Sequence, residues 1–169
     1  QNTPIRKAAV VATDPHTGEI LTLLSTPSFD PQDFEDETDE AARLIKDKDQ
    51  PLFNHATEAS YPPASIFKII VAAGALEDKT ITTSTLIEDN GFIKAGPSTF
   101  HNWYYTEYGR TDGQVDVFKA LQRSNDIYFY KVGEKMGELA IKRWSEHFGL
   151  GNKTTLPFDQ NAGILPSPF

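Results

Sequence analysis

The sequence predicts an α+β domain, and three observations point to it. Two short apolar runs flank a turn near the start, a dense apolar stretch of helical length spans 66–76, and helical periodicity dominates between 116 and 148. The two runs are Ala8-Ala9-Val10-Val11-Ala12 and Ile20-Leu21-Thr22-Leu23-Leu24. The connector between them holds Asp14, Pro15 and Gly18, which are turn residues, so the pair reads as a β-hairpin. Unbroken rather than alternating apolarity predicts strands covered on both faces. Two strands alone are marginally stable, so the hairpin should belong to a larger sheet, yet the rest of the chain offers few further strand candidates.

Residues 25–54 are polar and punctuated by proline, with one short helix expected around Ala41–Lys46. Pro62-Pro63 imposes an extended entry before the apolar stretch Ile66–Leu76. With Ala72, Ala73, Gly74 and Ala75 inside it, this stretch is apolar on nearly every face, as expected of a helix buried in the middle of a domain. Asp78 and Lys79 mark its exit. Residues 80–112 read as loop, punctuated by Gly91, Gly96, Pro97 and Gly109. The aromatics within it, Trp103, Tyr104, Tyr105 and Tyr108, are expected to pack beneath that loop rather than form a ligand box. Helices are predicted over Asp116–Arg123, Ile127–Met136 and Glu138–Phe148. In the last, Ile141, Trp144 and Phe148 recur at helical spacing and Gly149 stands where a C-cap belongs.

Length and composition narrow the function. A chain of 169 residues suits one domain with a real core, and 38% hydrophobic with 11% aromatic residues suits a folded rather than a disordered protein. A formal net charge of −8 argues against nucleic acid as a partner, because phosphate binding needs a basic face. Much of the acid clusters as Glu35, Asp36, Glu37, Asp39 and Glu40, which reads as a solvated surface insertion. The absence of cysteine excludes disulfides, thiolate metal sites and a cysteine nucleophile. His16, His55, His101 and His147 are scattered without ligand spacing, so no metal is expected, and no cofactor. No apolar run approaches the length of a membrane span and no signal peptide opens the chain. A start at Gln1 rather than Met suggests a trimmed chain, with room for an anchor upstream.

The chemistry concentrates at Ser65-Ile66-Phe67-Lys68, where the buried helix begins. A serine at a helix N-terminus feels the positive end of the macrodipole and nearby free N–H groups. A lysine three residues later lies one turn away on the same face, so its amine is expected to reach the serine oxygen. Burial disfavours the charged form of lysine, which would make Lys68 a usable base for a serine that is otherwise a weak nucleophile. Ser-x-x-Lys also describes a plain capped helix. What sets this one apart is a lysine in an apolar helix, where it costs free energy. A second element, Ser124-Asn125-Asp126, stands between two helical segments. It reads either as a pair of helix caps or as a loop presenting Ser124 and Asp126 to the same cleft.

Ser-x-x-Lys followed by such a tripeptide belongs to the motif set of β-lactamases and penicillin-binding proteins. Beyond those motifs the sequence resembles the class B penicillin-binding proteins along nearly its whole length. The resemblance runs through Ala9–Leu21, Ser25–Pro31, Pro51–Ala56, Tyr61–Lys68, Ser124–Tyr130, Phe148–Gly151 and Gly163–Pro166. Asp126, with Tyr128-Phe129-Tyr130 behind it, looks most like the members of the rod-elongation machinery. The resemblance implies a transpeptidase fold with a central antiparallel sheet and helices on both faces. It implies a peptidoglycan D,D-transpeptidase that attacks the D-Ala-D-Ala end of a stem peptide and is acylated by β-lactams. Ser65 matches the nucleophile, Lys68 its base, Ser124 the proton-relaying hydroxyl and Asp126 a contact to the substrate's amide. The backbone N–H of Ser65 would supply half of the oxyanion hole. Glycosyltransferase and elongation-complex proteins are the implied partners. The implied location is the periplasmic face of the inner membrane in the bacterial cell envelope.

One departure stands out. The family's third motif, Lys-Thr-Gly or Lys-Ser-Gly, is absent, and the nearest segment, Lys153-Thr154-Thr155, falls in a different part of the family pattern. In the family that motif lies on a strand further along the chain, where it completes the oxyanion hole. Residues 1–169 therefore read as the N-terminal part of one transpeptidase domain, with the C-terminal half as its missing partner. Two other readings stay open: a serine β-lactamase, which would deacylate rapidly, and a non-enzymatic β-lactam sensor or scaffold module.

Overall fold

The computed structural model describes residues 7–35 and 39–165; Asp36 and Glu37 of the acidic run and Pro166 lie outside them. The chain forms two compact units, one of Gln1–Tyr61 with Lys153–Asn161, the other of Pro62–Asn152 with Ala162–Phe169.

In the first unit the predicted hairpin is present. Strands β1 (Ala8–Thr13) and β2 (Ile20–Thr26) pair antiparallel with Val10 opposite Leu24, and the register shifts at Ala12/Thr13. Asp14 builds the turn: its Oδ1 accepts from the N–H of His16 at 2.7 Å and of Thr17 at 3.3 Å, and Gly18 closes it at φ +75°. The expectation of strands covered on both faces is corrected. Val10, Val11, Leu21 and Leu24 are 51%, 53%, 63% and 46% exposed, and among the described residues this sheet has two strands. Helices α1 (Gln32–Glu35) and α2 (Asp39–Lys46) follow, the second as predicted, with Leu44 buried and Arg43 paired to Glu40. Lys153-Thr154-Thr155 is irregular, with the backbone N–H and hydroxyl of Thr154 both donating to Gln160 Oε1.

The second unit is built on α3 (Lys68–Glu77), the predicted apolar helix, which leaves at Asp78 as expected. A 3-10 turn, Ala64–Phe67, leads into it. Around it lie α5 (Val117–Arg123), α6 (Asp126–Met136) and α7 (Glu138–His147), all within a residue or two of their predicted bounds. Gly149, at φ +83°, donates to Glu146 O just past the end of α7. The core joins Val71, Ala72 and Ala75 of α3 to Val117, Ala120, Tyr128, Phe129 and Val132. Burial of α3 is one-sided: Ile66 in the turn before it and Ile69 within it are 71% and 58% exposed.

Residues 80–112, predicted as loop, are instead structured. Strand β3 (Ile87–Asp89) pairs antiparallel with β6 (Gly113–Val115), and β4 (Phe92–Ala95) pairs with β5 (Ser98–His101) across the two-residue turn Gly96-Pro97. Strands of three or four residues are too short to show a period, and the partners in β3–β6 are separated by more than twenty residues. Helix α4 (Trp103–Tyr108) carries the aromatics. These do not pack beneath a loop: Trp103, Tyr105 and Tyr108 are 38%, 37% and 64% exposed, and Trp103, Tyr104 and Tyr108 cluster against one another instead.

At Gly74 of α3 the Trp144 ring of α7 lies directly against the backbone. A Cβ there would stand 2.5 Å from Cγ of Trp144, inside any tolerable contact. Gly74→Ala is therefore expected to destabilise the fold by about 1–3 kcal/mol despite alanine's better helix propensity. A thermal melt in which the variant matches or exceeds the parent would show that the helices separate freely.

Candidate active site

The extended entry expected of Pro62-Pro63 is corrected at its second residue: Pro63 is helical, at φ −68° and ψ −13°, and Ala64 after it adopts a left-handed conformation at φ +50° and starts the 3-10 turn. Ser65 sits in that turn and is exposed; Lys68 opens α3 one turn later, with its side chain only 14% exposed. The joint between α5 and α6 faces it. Asp116 caps α5, its side chain accepting from Lys119 N at 2.8 Å, and α5 ends at Ser124 in the left-handed region, φ +50° and ψ +43°. Asn125 then caps α6, its Oδ1 accepting from Tyr128 N at 2.9 Å. Both readings of the tripeptide hold: it is a double helix cap, and it aims side chains at Lys68.

The Lys68 Nζ donates to Ser124 O at 2.8 Å, Ser124 Oγ at 3.1 Å and Asp126 Oδ1 at 2.5 Å. An ammonium has three hydrogens, so these bonds use all of them. In this state the amine is turned to the Asp126 carboxylate across the cleft rather than to Ser65, one turn away, because an ion pair outweighs a bond to a neutral hydroxyl. The Phe129 ring, 5.8 Å from Nζ, adds a cation–π contact. Ser65, Lys68 and Asp126 share the lining of one cavity of about 520 Å³, with Phe67, Phe129 and Tyr130 among its apolar walls. Burial pushes the Tyr130 phenol up, and the nearby Asp126 charge adds to that. At neutral pH it remains a donor.

Nothing in the residue pattern pointed to the buried polar cluster behind this joint. Asp89, at the end of β3, accepts from Gly91 N, Asn102 Nδ2, Asn125 Nδ2 and Asp112 N. Burial alone would push its pKa up, but the backbone N–H groups of Asp112 and Gly91 and the two asparagine amides hold the carboxyl below its ordinary value. Arg123 bonds Asp112 at 3.1 Å and lies over Tyr104 and Trp103, at 4.5 Å and 5.4 Å from the ring centroids. The Trp103 indole donates to Arg123 O at 2.8 Å and its backbone N–H to Asp126 Oδ2 at 3.2 Å. The two asparagines that bond Asp89 lie 13 and 36 residues from it, and only the fold brings them together.

Residues 8–168 match the penicillin binding protein transpeptidase domain. The chain is 36% identical over 166 residues to peptidoglycan D,D-transpeptidase MrdA of Escherichia coli strain K12, covering 95% of this chain and 26% of that protein. Among solved structures it is similar to Pseudomonas aeruginosa PBP2 in complex with WCK 5153, with a TM-score of 0.82 and 32% identity over 96% of this chain and 37% of that one. It is also similar to PBP2 in the Helicobacter pylori complex with MreC, with a TM-score of 0.81 and 32% identity over 95% of this chain and 30% of that one. The chain spans about a quarter of the length of the relatives it matches in sequence.

Proposed function

The chain belongs to the penicillin-binding protein transpeptidase family, and from that premise we propose that it is the N-terminal part of one D,D-transpeptidase domain that cross-links peptidoglycan through an acyl-enzyme on Ser65. The observation that carries this reading is the convergence of Lys68 on Ser124 and Asp126, 56 and 58 residues away, with Lys68 and Asp126 lining the cavity that Ser65 also lines. Ser65 Oγ forms a bond to the carbonyl carbon of the penultimate residue of a D-Ala-D-Ala stem peptide, and the bond to the terminal residue's nitrogen breaks. Lys68 acts as the base in its amine form: having given one proton to solvent and left Asp126, it takes the hydroxyl proton. Ser124 Oγ, 3.1 Å from Nζ, passes a proton to the leaving amine. The amine of a second stem peptide then displaces Ser65, and a β-lactam would be opened by the same first step. Asp126 would first hold the ammonium and then, with substrate in place, accept from the substrate's amide.

The relatives named as D,D-transpeptidases support this chemistry over a β-lactamase or a sensor. The complex of Helicobacter pylori PBP2 with MreC supports partners of the elongation-complex kind. A place in the bacterial cell envelope, on the periplasmic face of the inner membrane, goes with that activity. Labelling of the longer polypeptide with fluorescent penicillin, with the adduct mapped by mass spectrometry, tests the proposal. An adduct away from Ser65 would sink it, rapid loss of the adduct would favour a β-lactamase, and a stable adduct without cross-linking a sensor.

Ser124→Ala is expected to slow acylation roughly tenfold to a hundredfold, since it removes the hydroxyl that bridges base and leaving group. Asp126→Ala should weaken productive binding by about tenfold, the equivalent of one hydrogen bond to a charged group. If the two residues only supported the helix ends, each variant would lose some stability and acylate normally. Melting curves measured beside acylation rates separate the two outcomes.

A further inference from the structure

We propose that Asp89 is a positioning residue for the acyl-transfer site, its buried carboxylate fixing through Asn102 and Asn125 where Ser124 and Asp126 stand before Lys68. The proposal rests on the acylation reading above. Asp89 is 2% exposed, and a carboxylate so buried needs compensation from donors. It has four. Oδ1 accepts from Gly91 N at 2.7 Å, and Oδ2 accepts from Asn102 Nδ2 at 2.8 Å, Asn125 Nδ2 at 2.9 Å and Asp112 N at 3.0 Å.

Two of those donors are asparagine side chains, each of which spends its other end on the site. Asn102 Oδ1 accepts from the Asp126 N–H at 3.2 Å, and Asn125 Oδ1 accepts from the Tyr128 N–H at 2.9 Å at the start of α6. A side-chain amide donates at one end and accepts at the other, so an anion that holds the NH₂ end dictates where the carbonyl points. Both asparagines are fully buried, and turning either one over would set its carbonyl against the Asp89 carboxylate. Asp112 extends the brace. Its backbone N–H bonds Asp89, while its carboxylate takes Asn125 Nδ2 at 3.0 Å and Arg123 Nε at 3.1 Å, gripping the residue just before Ser124. Ser124 itself holds a left-handed conformation that a non-glycine residue adopts at a cost of about 1 kcal/mol or more. It is held on one side through Arg123 and on the other through Asn125, and both holds lead back to Asp89.

The test uses the longer polypeptide carrying the rest of the domain, with fluorescent penicillin as the probe and rates normalised to the sites that titrate. In Asp89→Asn one carboxylate oxygen becomes a donor that faces donors, so the acylation rate constant per titrated site should fall at least about tenfold. If Asp89 acts through Ser124 and Asp126, the same change on a background carrying both Ser124→Ala and Asp126→Ala should cost less than about twofold. A network that merely stabilises would lower the melting temperature and the titrated fraction, leaving the rate per site unchanged. That result, or an equal loss in both backgrounds, overturns the proposal. Asn102→Ser keeps a good cap residue at the start of α4 but removes the acceptor for the Asp126 N–H. It is expected to show the same loss, and it takes the place of Asp89→Asn should that variant not fold. A parent protein unlabelled at Ser65 overturns the acylation reading and this role together; a labelled parent matched by both variants overturns this role alone.

Discussion

Replacing Lys68 by alanine is expected to slow acylation of Ser65 by roughly 10²–10⁴-fold, the usual worth of a positioned general base. The side chain is the one cation in the cavity that Ser65 lines, among the described residues, and its three hydrogen bonds tie α3 to the joint between α5 and α6. Its loss removes the group that takes the serine proton and leaves the Asp126 carboxylate, 22% exposed, without its counter-ion. The fold should survive. The core beneath Lys68 is built from Val71, Ala72, Ala75, Tyr128 and Val132, none of which needs the ammonium. Lys68→Arg is expected to fail nearly as badly, because a guanidinium preserves the ion pair with Asp126 yet cannot give up its proton to act as a base. Acylation rates measured with fluorescent penicillin on parent and variants in the longer polypeptide decide it. Near-parental rates in either variant would remove Lys68 from proton transfer.

The second large effect concerns what surrounds these residues. Residues 1–169 alone are expected to acylate at least 10²–10³-fold more slowly than a polypeptide that adds the remainder of the family's domain, since that is about the cost of one missing oxyanion donor. Two exposed apolar surfaces motivate this. The hairpin shows Val10, Val11, Leu21 and Leu24 to solvent, and the start of the α3 region shows Ile66 and Ile69. Apolar side chains exposed in such numbers, on the hairpin and at the start of the helix that carries Lys68, call for a cover. The same exposure predicts concentration-dependent association of residues 1–169, visible by light scattering. Equal labelling rates for the short and long chains, with the short one monodisperse, would show that these faces need no partner.

What the sequence carried by itself was local. Asp14 and Gly18 specified the hairpin turn, because an Asx turn and a positive φ depend on residues within four positions of one another. Helices α2, α3, α5, α6 and α7 followed from periodicity and capping, which also act over a single turn. Ser65 and Lys68 were legible for the same reason, since one helical turn sets their spacing, and the family's motif order added Ser124 and Asp126. Tertiary structure decided the rest. The partner of Lys68 changed from the hydroxyl one turn away to a carboxylate 58 residues away, because charge attraction across a cleft does not register in local spacing. Residues 80–112 turned from loop into two short ladders, whose pairs form only once the chain has folded back on itself. Asp89, unremarked among the acids of an acidic chain, became the buried centre of the site's support because Asn102, Asp112 and Asn125 reach it from three separate segments. A buried charge is stabilised by donors gathered in space, and their distances along the chain carry no trace of that gathering.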